Sequence, residues 1–104
     1  MFKHDDNYYI ESINHIRSAL NKTKKMQYEY MKINHDKWDN YKAKILVNFN
    51  IEIYDIERKL LLKKTEYRLD KTDDKKEIKE CKDILVKNNC VINYIKNLET
   101  SHHW

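Results

Sequence analysis

The amino-acid sequence predicts an all-α protein built from long antiparallel helices with coiled-coil-like packing. Its 104 residues include no glycine and no proline, although average usage would give about twelve of the two together. Tight β-hairpins depend on glycine, so a sheet protein is not expected. Apolar residues instead recur with a helical period along most of the chain. We therefore expect a single helical domain over residues 1–104.

An apolar stripe of helical period, interpreted as core, extends from Tyr9 to Tyr67. Tyr9, Leu20 and Met31 follow one another at intervals of eleven residues, and the same interval recurs further along the stripe. Such a repeat keeps one face of a nearly straight helix turned toward a partner. The stripe is therefore compatible with one long helix or with two helices.

Polar residues interrupt this stripe near its middle, where Asn34, Asp36 and Asn40 surround Trp38. After glycine, asparagine is the residue that most readily adopts the left-handed conformation at the end of a helix. A turn over 34–40 would give three helices. Two architectures stay open: a helical hairpin with an extended first helix, and a three-helix bundle with segments at about 6–34, 37–69 and 74–99.

The last helix has the clearest start. Thr72 or Asp73 can cap it, and Asp74 with Glu77 has the spacing of a capping box. A heptad-like stripe follows, in which Asn88 is the polar member and can fix register at some cost in stability. We expect the middle of the chain to pack on this helix, with Ile45, Phe49, Ile56 and Leu60 against Ile78, Leu85, Ile92 and Ile95.

One segment has a competing pattern. Residues 47–54 alternate apolar and polar side chains and are rich in β-branched residues, which is typical of a strand. A single strand has no partner within this chain, so a strand here requires pairing between subunits.

The composition excludes most enzyme classes. Walker A loops, dinucleotide-binding turns and nucleophile elbows need glycine, and the chain has none. Glu11, His15 and Ser18 share one helix face, but a straight helix supplies no oxyanion hole. The five histidines lack the spacing of a closed metal site. We expect no catalytic residues, no metal, no cofactor and no small-molecule substrate.

The sequence shows no signal peptide and no apolar run long enough to cross a membrane. Cys81 and Cys90 are nine residues apart and so lie on opposite sides of a helix, where they cannot pair with each other. The expectation is a soluble protein with reduced thiols in the cytoplasm, without a membrane partner.

The function is predicted from the part of the apolar stripe that the last helix is too short to cover. A last helix of about 26 residues spans roughly 39 Å, which leaves the half from Tyr9 to Tyr41 largely bare unless the chain folds back near Trp38. We predict a small non-enzymatic interaction module that docks on a protein partner or on copies of itself, with Trp38, Tyr30 and Tyr41 as its hot spot. The full predicted docking set is Ile13, Ile16, Leu20, Tyr30, Met31, Trp38 and Tyr41.

Two alternatives remain. Ile, Lys, Asn and Tyr dominate the composition and have A/T-rich codons, which fits a phage or viral protein that inhibits a host complex, acting in the host cytoplasm. The other alternative is a helical nucleic-acid-binding protein. The net charge of +4 is spread evenly, but one basic cluster reaches from Arg58 to Lys71 and includes Lys59, Lys63, Lys64 and Arg68.

Overall fold

The computed structural model describes residues 4–34 and 39–101, with side chains described up to residue 98. Three helices account for nearly all of this: α1 (Asp6–Ile33), α2 (Asn40–Lys71) and α3 (Lys75–Ser101). The prediction of an all-α fold is confirmed, and of the two open architectures the chain adopts the one with three helices. The alternating segment 47–54 is helical and lies inside α2. The strand alternative is therefore wrong.

Side-chain caps set the ends of α1 and the start of α2. The Asp5 carboxylate accepts a hydrogen bond from the Tyr8 amide at 2.9 Å, and Asp39 accepts one from the Lys42 amide at 2.8 Å. Such caps satisfy amide groups that have no partner within the helix. Asn34 ends α1 with a negative φ of −108°, and its side-chain amide donates to the Tyr30 carbonyl at 2.8 Å. Asn34 thus ends the helix as a hydrogen-bond donor, without the left-handed conformation expected from the sequence.

The turn into α3 uses the polar residues that the sequence singles out. The Thr72 hydroxyl donates to Glu77 at 2.7 Å and accepts from the Asp74 amide at 3.2 Å. Asp74 in turn accepts from the Lys76 amide at 3.1 Å. These bonds close the short connection between α2 and α3, so the two helices run antiparallel.

The central helix is α2, which packs against both α1 and α3. Within the described ranges, no Cα atom of α1 comes within 8 Å of one in α3. The Cα atoms span 54 × 27 × 19 Å, so the three helices form a flattened layer with α1 and α3 on opposite sides of α2. A helix in that position needs apolar side chains on two faces, and α2 has them around most of its circumference.

The stripe on α2 faces α1, which corrects the expected pairing with α3. The Phe49 ring lies 6.0 Å from that of Tyr30, and Tyr67 stacks on Tyr9 at 4.8 Å. Phe49 and Tyr67 are five helical turns apart and therefore share one face. By the same period that face includes the other three predicted stripe residues of α2, which are Ile45, Ile56 and Leu60.

The opposite face of α2 receives α3. The Asn88 side chain in α3 donates to the Arg58 carbonyl at 2.8 Å, and Arg58 lies on the side of α2 away from Phe49. The pairing differs from the prediction because the chain reverses between α1 and α2, so that α1 covers the stripe. The heptad face of α3 then takes the second apolar face of α2.

The core is thin: seven apolar side chains of the described residues are buried. Four polar side chains are buried within it: Thr23, Thr65, Asp70 and Asn88. The buried apolar side chains are Tyr9, Leu20, Ile53, Leu69, Cys81, Ile92 and Ile95.

Candidate functional site

The structure divides the predicted docking stripe in two. In its first half, Leu20 is buried and Ile13 and Ile16 are half-buried, all on the face of α1 that packs on α2. The stripe between Tyr9 and Tyr41 was expected to be bare unless the chain folded back; it does fold back, and α2 covers this half. These side chains stabilise the fold.

The second half of the stripe reaches the surface where α1 ends and α2 begins. Met31 is 45% exposed and Tyr41 is 70% exposed, whereas Tyr30 is half-buried against Phe49. Trp38 lies outside the described residues. The two exposed side chains, Met31 and Tyr41, therefore lie at the end of α1 and at the start of α2.

Three further large apolar side chains are exposed at this end. These residues, Met26, Tyr28 and Ile33, lie off the stripe, so the helical period did not select them. The only signal in the sequence was that each is a large apolar residue outside the stripe. We call the set of five the hairpin-end surface; it consists of Met26, Tyr28, Met31, Ile33 and Tyr41.

Tyr30 joins the two helices beneath this surface. Burial raises the pKa of the Tyr30 hydroxyl, and the nearby Tyr41 and Asp39 raise it further. Tyr30 therefore stays neutral at physiological pH, and its ring, packed near Phe49, forms an apolar base for the surface.

The other end of the α1–α2 pair holds a buried carboxylate that the sequence analysis did not select. Asp70 is only 3% exposed. Its Oδ2 atom accepts a hydrogen bond from the Tyr9 hydroxyl at 2.8 Å and one from the His4 amide at 2.9 Å. Its Oδ1 atom is buried without a partner in the described part of the chain. A carboxylate next to the end of a helix is usually solvated, so its sequence position gave no signal.

The hydrogen bonds keep this carboxylate charged. Burial alone would raise the pKa of Asp70, but the bonds from His4 and Tyr9 and the charge of Lys71 outweigh that effect and lower the pKa below its ordinary value. The Tyr9 hydroxyl responds in the opposite direction: burial and the bond to Asp70 raise its pKa. The pair thus holds a neutral phenol against a carboxylate ion.

Aromatic and charged contacts fasten the start of the chain to the end of α2. The His4 ring stacks on Tyr8 with 4.0 Å between centroids. The Lys71 ammonium donates to the His4 carbonyl at 2.8 Å and forms an ion pair with Asp6 at 3.2 Å. These contacts and those of Asp70 make a structural joint between α1 and α2.

The predicted basic cluster does not form one surface. Lys59 pairs with Asp55 at 2.8 Å, and the Arg58 guanidinium lies 4.8 Å over the Tyr54 ring. Lys63 faces another direction, where its ammonium pairs with Glu66 at 3.1 Å; it also lies 5.4 Å over the Tyr8 ring. Arg68 and Lys71 also form ion pairs, with Glu77 and Asp6, so Lys64 alone of the six has no ion-pair or ring contact among the described residues.

The rest of the cluster lines a groove between α1 and α2. Lys64, Arg68 and Lys71 border it, and Ile13 and Tyr67 contribute apolar surface to a volume of about 320 Å³. We call this the basic groove. Four of its five residues belong to predicted sites. Ile13 is in the predicted docking set, and Lys64, Arg68 and Lys71 are in the predicted basic cluster. Tyr67 is in neither.

The residues with catalytic spacing do not form a site. Glu11, His15 and Ser18 are exposed on the outer side of α1, and no hydrogen bond joins them within the described chain. Ser18 borders an open depression of about 370 Å³ whose lining comes entirely from α1. No group of three or more potential metal ligands occurs among residues 4–34 and 39–101.

The two cysteines are free thiols, Cys81 buried and Cys90 exposed. No helix in the described ranges has the length and apolar character needed to cross a membrane. No protein-family model, curated protein or solved structure matches the chain.

Proposed function

We propose that this chain is a non-enzymatic helical interaction module that docks on another protein, or on a second copy of itself, through the hairpin-end surface. The observation that supports this is that five large apolar side chains are exposed toward one end of the α1–α2 pair. Their exposed fractions range from 45% for Met31 to 78% for Ile33. Methionine and tyrosine are enriched in the cores of protein interfaces. By helical spacing the four on α1 form two pairs on different sides of the helix, Tyr28 with Met31 and Met26 with Ile33. Exposed apolar side chains that lie together mark interfaces in soluble domains.

The rest of α1 offers a contrast. Tyr8 and Ile10 are exposed at its start, but between Glu11 and Lys25 every exposed side chain is polar. Large apolar side chains reappear on the exposed side at Met26. This uneven distribution favours a docking surface at the end of the α1–α2 pair where α1 ends and α2 begins.

Free thiols fit a reducing compartment, so we place this role in the cytoplasm. A phage- or virus-encoded inhibitor of a host complex would use the same surface in the host cytoplasm, and the identity of the partner distinguishes the two origins. Nucleic-acid binding is the less favoured candidate, because Arg58, Lys59 and Lys63 engage partners within the chain.

The first test measures self-association by light scattering after size exclusion over a range of protein concentrations. The variant carries Met31→Ser and Tyr41→Ser, and the control carries Tyr94→Ser, a tyrosine 64% exposed on α3. An oligomer that is lost in the variant and kept in the control supports docking between copies. An oligomer that persists in both excludes the hairpin-end surface as its interface.

A wild type that is monomeric at every concentration directs the test to a foreign partner. The three proteins are then used as bait against the proteome of the source cell or host. A protein retained by the wild type and by Tyr94→Ser, but not by the double variant, supports the proposal. Equal retention by all three baits contradicts it, and retention that falls steeply with salt and carries nucleic acid favours the alternative.

A further inference from the structure

We propose that the basic groove binds a small organic anion with an apolar body, such as a medium-chain carboxylate or an alkyl phosphate. The inference is independent of the docking function, because the groove lies at the Asp70 end of the α1–α2 pair, away from the hairpin-end surface. It rests on apolar surface bordered by three cationic side chains, of which Arg68 and Lys71 form ion pairs and Lys64 has none within the described residues.

The floor of the groove is apolar and firmly held. Ile13 in α1 and Tyr67 in α2 form it, and both are half-buried. The Tyr67 ring is held in place by stacking on Tyr9 at 4.8 Å between centroids. The groove volume of about 320 Å³ lies at the lower end of the range for small-ligand pockets. It accommodates a short alkyl chain or a single aromatic ring.

The rim of the groove is cationic. Lys64, Arg68 and Lys71 follow one another at i, i+4 and i+7, so all three project from one face of α2. Lys64 is exposed and has no ion-pair partner within the described residues. Its ammonium group can therefore receive the head group of a ligand without breaking a contact.

The other two cations have partners that a ligand can share. Arg68 pairs with Glu77 at 2.8 Å and with Glu80 at 3.4 Å, and all three side chains are about a third or more exposed. Lys71 pairs with Asp6, which is 64% exposed. Ion pairs at such exposed positions are weak, so an anion that also buries an apolar body can compete with them.

The shape of the groove favours a small anion over a nucleic acid. Nucleic acids need a positive surface that follows several phosphates, with aromatic rings available for stacking. Here only three cations border the groove, two of them already paired with carboxylates, and the one ring in the groove, that of Tyr67, is stacked on Tyr9. A single head group with an apolar tail matches both the charge and the floor.

The test is a titration followed by amide chemical shifts, with four probes. Octanoate and octyl phosphate carry head group and tail, acetate carries only the head, and octan-1-ol carries only the tail. We expect both amphipathic anions to shift amides at and around Ile13, Lys64 and Tyr67 in a saturable way. Acetate and octan-1-ol should bind at least about fivefold more weakly. Comparison of octanoate with octyl phosphate identifies the preferred head group.

Two variants complete the test. Lys64→Gln should weaken octanoate binding about fivefold, whereas Lys82→Gln, an equal charge change at an exposed position on α3, should leave it unchanged. The proposal is overturned if octan-1-ol binds as tightly as octanoate, if the two variants behave alike, or if the shifts fall on the hairpin-end surface. Neither substitution removes a buried contact, so loss of folding does not complicate the result.

Discussion

The hydroxyl group of Tyr9, in the first turn of α1, donates a 2.8 Å hydrogen bond to the carboxylate of Asp70, 61 residues later in the last turn of α2. Both side chains are buried. The ring of Tyr9 also stacks on Tyr67, so one residue provides an apolar and a polar contact with α2. This pair fixes the register of the two helices at the end opposite their connection.

Removal of the Tyr9 hydroxyl should destabilise the fold without disturbing the ring stack. Tyr9→Phe leaves the buried carboxylate of Asp70 with one donor fewer, and we expect the free energy of unfolding to fall by about 1–2 kcal/mol. Denaturant unfolding followed by circular dichroism measures this change. Tyr28→Phe is the matched control, because that tyrosine is 64% exposed and its loss should be neutral. Equal effects of the two substitutions would show that the Tyr9–Asp70 bond contributes nothing.

The depressed pKa of Asp70 predicts a specific loss of stability in acid. Because the pKa is lower in the folded state than its ordinary value of 3.8, the unfolded chain binds the proton first as the pH falls. The stabilisation from the carboxylate is therefore complete above pH 3.8 and is lost as the pH falls through the folded-state pKa.

Asp70→Asn isolates this contribution. The stability gap between wild type and the variant should be widest near neutral pH and should narrow between about pH 4 and pH 2. The pKa of Glu77 is also lowered, chiefly by its bonds with Arg68 and Thr72, but Glu77 is present in both proteins and cancels in the comparison. Urea unfolding at several pH values gives the gap. A gap that stays constant down to pH 2 contradicts the assignment.

Asn88 is expected to define the register between α2 and α3 and to give a lower free energy of unfolding than an apolar residue would at the same position. Its side-chain nitrogen reaches the Arg58 carbonyl at 2.8 Å, but its Oδ1 atom is buried without a partner in the part of the chain described here. Asn88→Leu replaces an unsatisfied polar atom with apolar volume, and we expect the free energy of unfolding to rise by about 1 kcal/mol.

The control for Asn88 is the adjacent Asn89, which is exposed and should give no gain when changed to Leu. Denaturant unfolding gives the stability, and light scattering reports whether Asn88→Leu also changes the number of chains in the particle. A loss of stability in Asn88→Leu would mean that the bond to Arg58 outweighs the orphaned oxygen.

The arrangement of the layer predicts that α1 and α3 respond separately to damage. Ile95 is 2% exposed, and Ile95→Ala should cost about 3 kcal/mol, as large-to-small changes in a core do. Since α1 and α3 are joined only through α2 among the described residues, hydrogen exchange should accelerate in α3 more than in α1. Ile10→Ala, at a position 45% exposed, is the control. Equal acceleration in both helices would show that the layer unfolds as one unit.

Much of the fold was predictable because it depends on local patterns. The absence of glycine and proline and the helical period of the apolar residues predict helices, and the residues near Asn34 and Thr72 mark the turns. The pairing of the helices was not predictable in the same way. The stripe through Phe49 was expected to face α3 and instead faces α1, because a pattern shows which side of a helix is buried but not which neighbour covers it.

The candidate sites likewise depend partly on local sequence patterns, which were predictable, and partly on helix pairing, which was not. Met31 and Tyr41 were selected from the stripe and are exposed, whereas Leu20, from the same stripe, is buried. Lys64 and Ile13 were assigned to different candidate sites and share one groove. Sequence spacing places residues on a face of one helix, but a site between two helices depends on how they are aligned.

The sequence by itself therefore determined the helical class, the turn before α3 and the absence of glycine-dependent active-site loops, since each depends on residues close together in the chain. It left open whether the chain turns between residues 34 and 40. The tertiary structure alone decided that α2 is the central helix, that Asp70 is buried beneath Tyr9, and which apolar side chains remain exposed. These features arise from contacts between residues far apart in sequence, such as the 61 that separate Tyr9 from Asp70. Which of the many compatible pairings forms is decided by the combined packing of all three helices.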